Sequence, residues 1–376
     1  MSAHPESFAF GIELELLLMP NEIIKDVLRE HGFQGSNNAT SAGKDANRLA
    51  MRKALVGRLI LADIPAQLNT GTYGSWTVAD EPVLDEVEGY WRCEIVSRIL
   101  RTTSDWQDEI KIVLLTIRSN FNICLTSGCA MHVHISPSEV TTFNARQLKQ
   151  IIKGVMYYDR ALIKIMPSLR KDNPYCMPNT KYIQKLRTLY DGVSQNSWAT
   201  AFNACDQSGQ LIQSILFAHE FDKSQNRYCF WNFQNITTCG TIEFRGPPGV
   251  QMAADANHWV CVTLGFVSNA IVKNWDVVKS TKTYPTSDQL RAAIRFGVQR
   301  LGSMCQGALG PMADDNSAPW VASSTERARI NAKKAAIGNK KATFVEKVTH
   351  HEKSKADIWV TQIINSRPNT PISVHG

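Results

Sequence analysis

The chain has 376 residues, 43% of them hydrophobic and 20% charged, with a formal net charge of +7. That composition describes an ordinary globular protein, long enough for one large domain or two modest ones. No apolar stretch reaches the length of a membrane span, so no membrane association is expected. The first residues lack a basic region followed by an apolar run and a small-residue cleavage site. The nine cysteines form no Cys-x-x-Cys pair, and Cys93, Cys124, Cys129, Cys229, Cys239 and Cys261 sit inside apolar patterns. They read as reduced core thiols of a cytoplasmic protein. Much of the positive charge falls in 327–355, which holds Lys333-Lys334 and Lys340-Lys341. Without aromatic interleaving this stretch reads first as a solvated helix or tail, and second as a cover over an active site. No nucleic-acid partner is expected.

In chain order, 8–18 reads as a strand and 20–30 as a helix. A polar loop over 37–43 precedes a helix over 45–62, with Met51, Leu55 and Leu59 on one face. A turn at 71–75 leads to strands at 76–78 and 91–96, joined by an acidic loop. Ser104 and Gln107 have the spacing of a capping box, opening a helix with Ile110, Val113, Leu114 and Ile117 as its stripe. Strands at 121–125 and 130–135 are expected to pair with each other. Asn144 caps the next helix, whose stripe runs Leu148, Ile151, Ile152, Val155, Leu162, Ile165, and Pro167 stops it. Strands at 228–233 and 241–244 flank a turn, and Gly246-Pro247-Pro248-Gly249 breaks the chain. Helices follow at 253–272 and 287–301, then a loop over 302–319. Strands and helices mix without strict alternation. That predicts an α+β fold with helices on one face of a mainly antiparallel sheet. Trp76 and Tyr175 are expected to be packing residues.

Three of these strands carry ionisable residues at i and i+2: Glu13 and Glu15, His132 and His134 with Ser136 beyond them, and Glu243 with Arg245. Successive side chains of a strand point to opposite faces. Each run therefore has an apolar face (Ile12, Leu14 and Leu16; Met131, Val133 and Ile135; Ile242 and Phe244) and a face of carboxylates and imidazoles. Grouped anions repel and half-buried charges need partners. A metal ion would supply the missing positive charge. A site rich in carboxylates with one or two imidazoles suits Mg²⁺ or Mn²⁺ better than zinc.

These runs, in this order, resemble the glutamine synthetase and glutamate–cysteine ligase superfamily, and most of all its amidoligase branch, common in fungi and bacteria. The resemblance begins at Gly11-Ile12-Glu13-Leu14-Glu15 and continues at Glu94-Ile95-Val96-Ser97. It runs on through Cys129-Ala130-Met131-His132-Val133-His134-Ile135-Ser136 and Arg170-Lys171-Asp172-Asn173-Pro174-Tyr175-Cys176. Arg227-Tyr228 with Asn232, and Thr241-Ile242-Glu243-Phe244-Arg245, complete it, so that it covers roughly residues 8 to 270. The branch usually has Ser-Pro where this chain has Ser97-Arg98, and the segment 37–76 aligns with nothing in it. Substrate choice is less legible than reaction type.

The resemblance implies a glutamine synthetase-like catalytic domain over 1–310, a curved sheet whose concave face holds the site and whose convex face carries helices. Residues 311–376 then form a basic helical or flexible extension. It implies ATP with Mg²⁺ or Mn²⁺ as cofactors, and a small carboxylic acid and an amine as substrates. Glu13, Glu243 and His132 would hold one metal, and Glu15 with Glu94 another. His134, Ser136 and Arg170 would face the nucleotide, and Arg245 and Arg227 would act in catalysis. Two other readings remain. A metal-dependent hydrolase would want further His or Asp ligands on strands, and His219, His258, His350 and His351 stand in helical or tail contexts. A degenerate ligase acting as a scaffold would be expected to lack Glu13, Glu243 or Arg245, all of which are present.

Overall fold

A computed structural model describes residues 7–35, 40–68, 73–85, 87–138, 142–207, 228–333 and 335. Arg227 and the extension beyond 335 lie outside them. No helix of the described residues is long and apolar enough to cross a membrane.

The strands are β1 (Phe8–Pro20), β2 (Ala66–Leu68), β3 (Trp76–Ala79), β4 (Trp91–Val96), β5 (Leu100–Arg101), β6 (Phe121–Cys124), β7 (Ala130–Pro137), β8 (Trp231–Asn232) and β9 (Ile242–Phe244). They form one open sheet in the order β2-β3-β4-β1-β7-β9-β8, with β5 and β6 also pairing with β1. Every pairing is antiparallel except β2 with β3. The long strand β1 is the spine. Its alternation sends Ile12, Leu14 and Leu16, all 0% exposed, to the core side. There they join one cluster with the apolar faces of helices Trp106–Asn120, Ala145–Ile165, Ala253–Val272 and Ser287–Arg300. Burying one sheet face under helices leaves the charged face to build a site.

The helix Ala145–Ile165 follows its sequence signals closely. Asn144 and Gln147 form a reciprocal capping box, and the predicted stripe is buried. The helix Ala253–Val272 is apolar nearly all round and lies among others, against Ser287–Arg300 and Ala145–Ile165.

Several expectations are corrected. The strands at 121–125 and 130–135 do not pair with each other; both pair with β1, β6 at its end and β7 along its first half. A strand as long as β1 has room for both partners. The Ser104 capping box does not form. The helix starts at Trp106 after Asp105, with no side-chain cap, and Ser104 Oγ donates back to Arg101 O. The helix predicted at 45–62 begins earlier, at Ser41, because Thr40 accepts from Gly43 N and caps it. Between 228 and 233 only Trp231–Asn232 is strand. The loop at 302–319 contains a short helix, Ser303–Ala308. Helices Gln184–Asp191 and Val193–Gln207 carried no sequence assignment.

Candidate active site

Strand register assembles the site. Glu13 lies opposite His132, and Glu15 lies opposite Glu94 on the other side of β1. His134 lies opposite Glu243, which itself lies opposite Asn232. Residues as far apart in sequence as Glu13 and Glu243 thereby share one face.

Two groups of possible metal ligands result. Glu13, His134 and Glu243 offer atoms within 4.8 Å of one another, and so do Glu15, Glu81 and Glu94. His132 stands between them, 1% exposed. Its Nδ1 is 3.0 Å from Glu13 Oε2, 3.4 Å from Glu243 Oε1 and 3.7 Å from Glu15 Oε1. The same nitrogen is 3.4 Å from an Arg245 nitrogen. It cannot donate to Glu13 and accept from Arg245 at once, and the shorter contact assigns the proton to Nδ1. The first group includes His134, while His132, which the resemblance sets with Glu13 and Glu243, lies beside both of those carboxylates. His134 Nε2 lies 3.1 Å from Glu13 Oε1.

The electrostatics divide the two groups. Burial resists charge on Glu13, but His134 and His132 outweigh it and hold its pKa well below the usual range. For Glu243, Arg245 and then the two histidines overcome burial and bring its pKa to about 2. Burial also opposes charge on His134, yet Glu13 and Glu243 raise its pKa well above 6.5. His132 is pushed down to about 4 by burial and by the nearby Arg245. In the second group, burial and then Glu81 push the Glu15 pKa well up. Repulsion within three close carboxylates is what a divalent cation would relieve.

Arg245 is 6% exposed. It pairs with Glu243, its Nε donates to Tyr175 O at 3.4 Å, and it lies 5.9 Å from the Tyr228 ring. Asn232 and Asn235 donate to the other Glu243 oxygen at 2.7 and 2.8 Å. Arg170 is 1% exposed and grips the backbone beside Arg245, with Nε to Gly246 O at 3.1 Å and Nη2 to Arg245 O at 2.7 Å. Its Nη1 has no hydrogen-bond partner among the described residues. Ser136 lies on the His134 face, opposite Ala9, two residues beyond the clusters. Trp76 and Tyr175 are buried packing residues, and Trp76 Nε1 donates to Glu109.

Sequence reasoning passed over Glu81 and read Cys239 as a core thiol, whereas Cys239 is exposed. Glu81 belongs to the acidic loop after β3, and only the approach of that loop to β4 joins it to Glu94. Cys239 lies at the rim; burial raises its pKa, but a hydrogen bond to His134 and one to Thr241 bring it below the usual thiol value.

Residues 6–267 match the family described as "Putative amidoligase enzyme". The chain belongs to that family. Amidoligases join carboxylates to amines, and the strands that carry the two clusters fall inside the matched region. Among solved structures, the glutamate–cysteine ligase of Francisella tularensis in complex with AMP is similar at 10% identity and a TM-score of 0.36, over 97% of this chain and 90% of that one. No curated protein matches the chain.

Proposed function

We propose that this amidoligase is an ATP-dependent carboxylate–amine ligase that forms an amide through an acyl-phosphate intermediate. The observation that carries the reading is the pair of ligand groups on one sheet face, linked through His132 and flanked by two buried guanidiniums. Oxygen-rich donors with one imidazole suit Mg²⁺ or Mn²⁺. When bound, such cations offset the charge on the phosphates of ATP.

The chain's own residues have definable tasks. Glu13, His134 and Glu243 would hold one cation, and Glu15, Glu81 and Glu94 another. Arg245 keeps a fixed, fully charged fork beside them, suited to carboxylate or phosphoryl oxygens. Arg170 braces the backbone at Arg245 and Gly246 and offers Nη1 to an anion. Ser136 and Arg227 keep the roles the family resemblance implies, nucleotide contact and catalysis. A free carboxylate is a poor electrophile; phosphorylation converts its oxygen into a good leaving group, which an amine then displaces as phosphate. In this reading 1–310 is a glutamine synthetase-like domain with the site on a concave sheet face, 311–376 is its extension, and the enzyme works in the cytoplasm.

The test is incubation of the full chain with ATP, Mg²⁺ and pools of acids and amines, following nucleotide products and new masses. ADP, phosphate and an amide are expected together. AMP with pyrophosphate, or turnover in EDTA without nucleotide, would overturn the mechanism.

A further inference from the structure

Residues after 310 lie outside the matched family region, yet the described part of them packs across the site's edge. The strap 311–323 is tied to the turn that carries Arg170. Asp315 N donates to Lys164 O at 2.9 Å, Ser168 N to Asp315 Oδ2 at 2.8 Å, and Trp320 N to Ser168 O at 3.0 Å. The chain is then helical over 324–333. On this helix Ile330, 2% exposed, packs in one cluster with Tyr175 and Tyr228, with Val83 packed against it. Both tyrosines also touch Arg245. One turn on, Lys333 pairs with Asp85 and donates to Val83 O at 3.2 Å, and Arg329 pairs with Asp85 at 2.5 Å.

Val83 and Asp85 belong to the loop that carries Glu81. That loop is folded on itself: Val83 N donates to Glu81 Oε1 at 2.8 Å and Leu84 N to Glu81 O at 3.2 Å. A displacement of Val83 or Asp85 is therefore transmitted to the Glu81 carboxylate over a few bonds. Glu15 and Glu81 repel each other, so the position of the Glu81 carboxylate depends on what holds its loop. Buried Arg170, on the turn tied to the strap, leaves Nη1 without a hydrogen-bond partner among the described residues, and its charge acts on Glu15.

We infer that helix 324–333 is a positioning element of the active site: Lys333 and Arg329, through Asp85 and Val83, hold Glu81 at cation-binding distance from Glu15 and Glu94. This rests on the ligase reading, which supplies the cation. Ile330 joins the same helix to the Arg245 side, so the extension spans both walls of the site.

The experiment is Mn²⁺ titration of the full chain, with a non-hydrolysable ATP analogue present, followed by electron paramagnetic resonance of free Mn²⁺. Metal-free melting temperature is measured in parallel. Wild type is expected to bind Mn²⁺ in more than one step. Glu81→Gln, Asp85→Asn and Lys333→Met should each weaken the same step by on the order of 10-fold or more, the usual effect of losing a group that orients a ligand. Lys333→Arg should restore it. The double variant Asp85→Asn/Lys333→Met should lose less than the sum of the two singles, since both break the Lys333–Asp85 pair. The metal-free melting temperature should stay near wild type, because half-exposed ion pairs add little to stability. Wild-type affinity in Lys333→Met overturns the inference alone. So does an equal loss in every step with a lowered metal-free melting temperature, which is the signature of a merely structural contact. Absence of Mn²⁺ binding in wild type overturns the ligase reading and the inference with it.

Discussion

At the scale of the residue, the site depends on groups that are buried and mutually compensated. Arg245 is the clearest. Its guanidinium meets Glu243, the Tyr175 carbonyl and the Tyr228 ring at once, a set of directions that one ammonium cannot satisfy. Arg245→Lys is expected to lower kcat/KM by on the order of 100-fold or more, as for other fixed donors facing developing charge. Steady-state kinetics with ATP and the acid varied in turn check this, and wild-type constants would reduce Arg245 to a structural ion pair. His134 sets a pH dependence. In the metal-free protein its pKa is raised above 6.5 by Glu13 and Glu243, against the effect of burial. Its charge thus stabilises the metal-free fold below pH 6.5, and that contribution fades as pH rises through the raised value. A cation needs the neutral imidazole, so Mn²⁺ affinity should climb as pH rises, by up to about tenfold per pH unit for one displaced proton. Calorimetric titrations across that range measure the slope, and His134→Gln should flatten it.

At the scale of the element, the sheet face is held in place by close packing behind it. Helices Ala253–Val272 and Ser287–Arg300 cross at paired glycines. A Cβ on Gly265 would meet Ile294 O at 2.6 Å, and one on Gly297 would run into Gly265 O. The obstacles are backbone atoms, which cannot swing aside. Gly297→Ala is expected to cost about 3 kcal/mol or more, at the high end of overpacking penalties. Chemical denaturation compares it with an exposed control, Gly57→Ala, where a Cβ meets nothing. Equal midpoints would mean the helices can separate at little cost. The same logic explains why Ala253–Val272 is so apolar: a helix wedged between partners has no solvated face to dress with charge.

At the scale of the whole molecule, the carboxylate clusters make the cation-free protein a compromise. Glu13, Glu15, Glu81, Glu94 and Glu243 are crowded on one face, and Glu15 responds by resisting ionisation. A ligand that neutralises the face should stabilise the whole fold by linkage. Mg²⁺-ATP is expected to raise the melting temperature, by about 2.7 kcal/mol of added stability at 100 times the dissociation constant. The shift should shrink in Glu13→Gln and Glu15→Gln. Differential scanning fluorimetry reads it directly, and equal shifts in wild type and both variants would place the nucleotide elsewhere.

What the sequence determined by itself was local. Period-2 alternation in 8–18 and 130–135 set which side chains face the core, because only one register buries Ile12, Leu14, Met131 and Val133. The same alternation put Glu13 with Glu15, His132 with His134, and Glu243 with Arg245 on a common face before any pairing was known. The Asn144 cap and the stripe that follows it were equally readable, since capping is a contact across three residues. The tertiary structure alone decided what depends on strand order and loop approach. Pairing β1 with β4 and β7 together set Glu15 against Glu94 and Glu13 against His132. The pairing of β7 with β9 brought Glu243 to His134, and the approach of the loop after β3 brought Glu81 to Glu15. No local pattern encodes that last approach. Its contacts join residues some 250 positions apart, through an ion pair and one buried isoleucine.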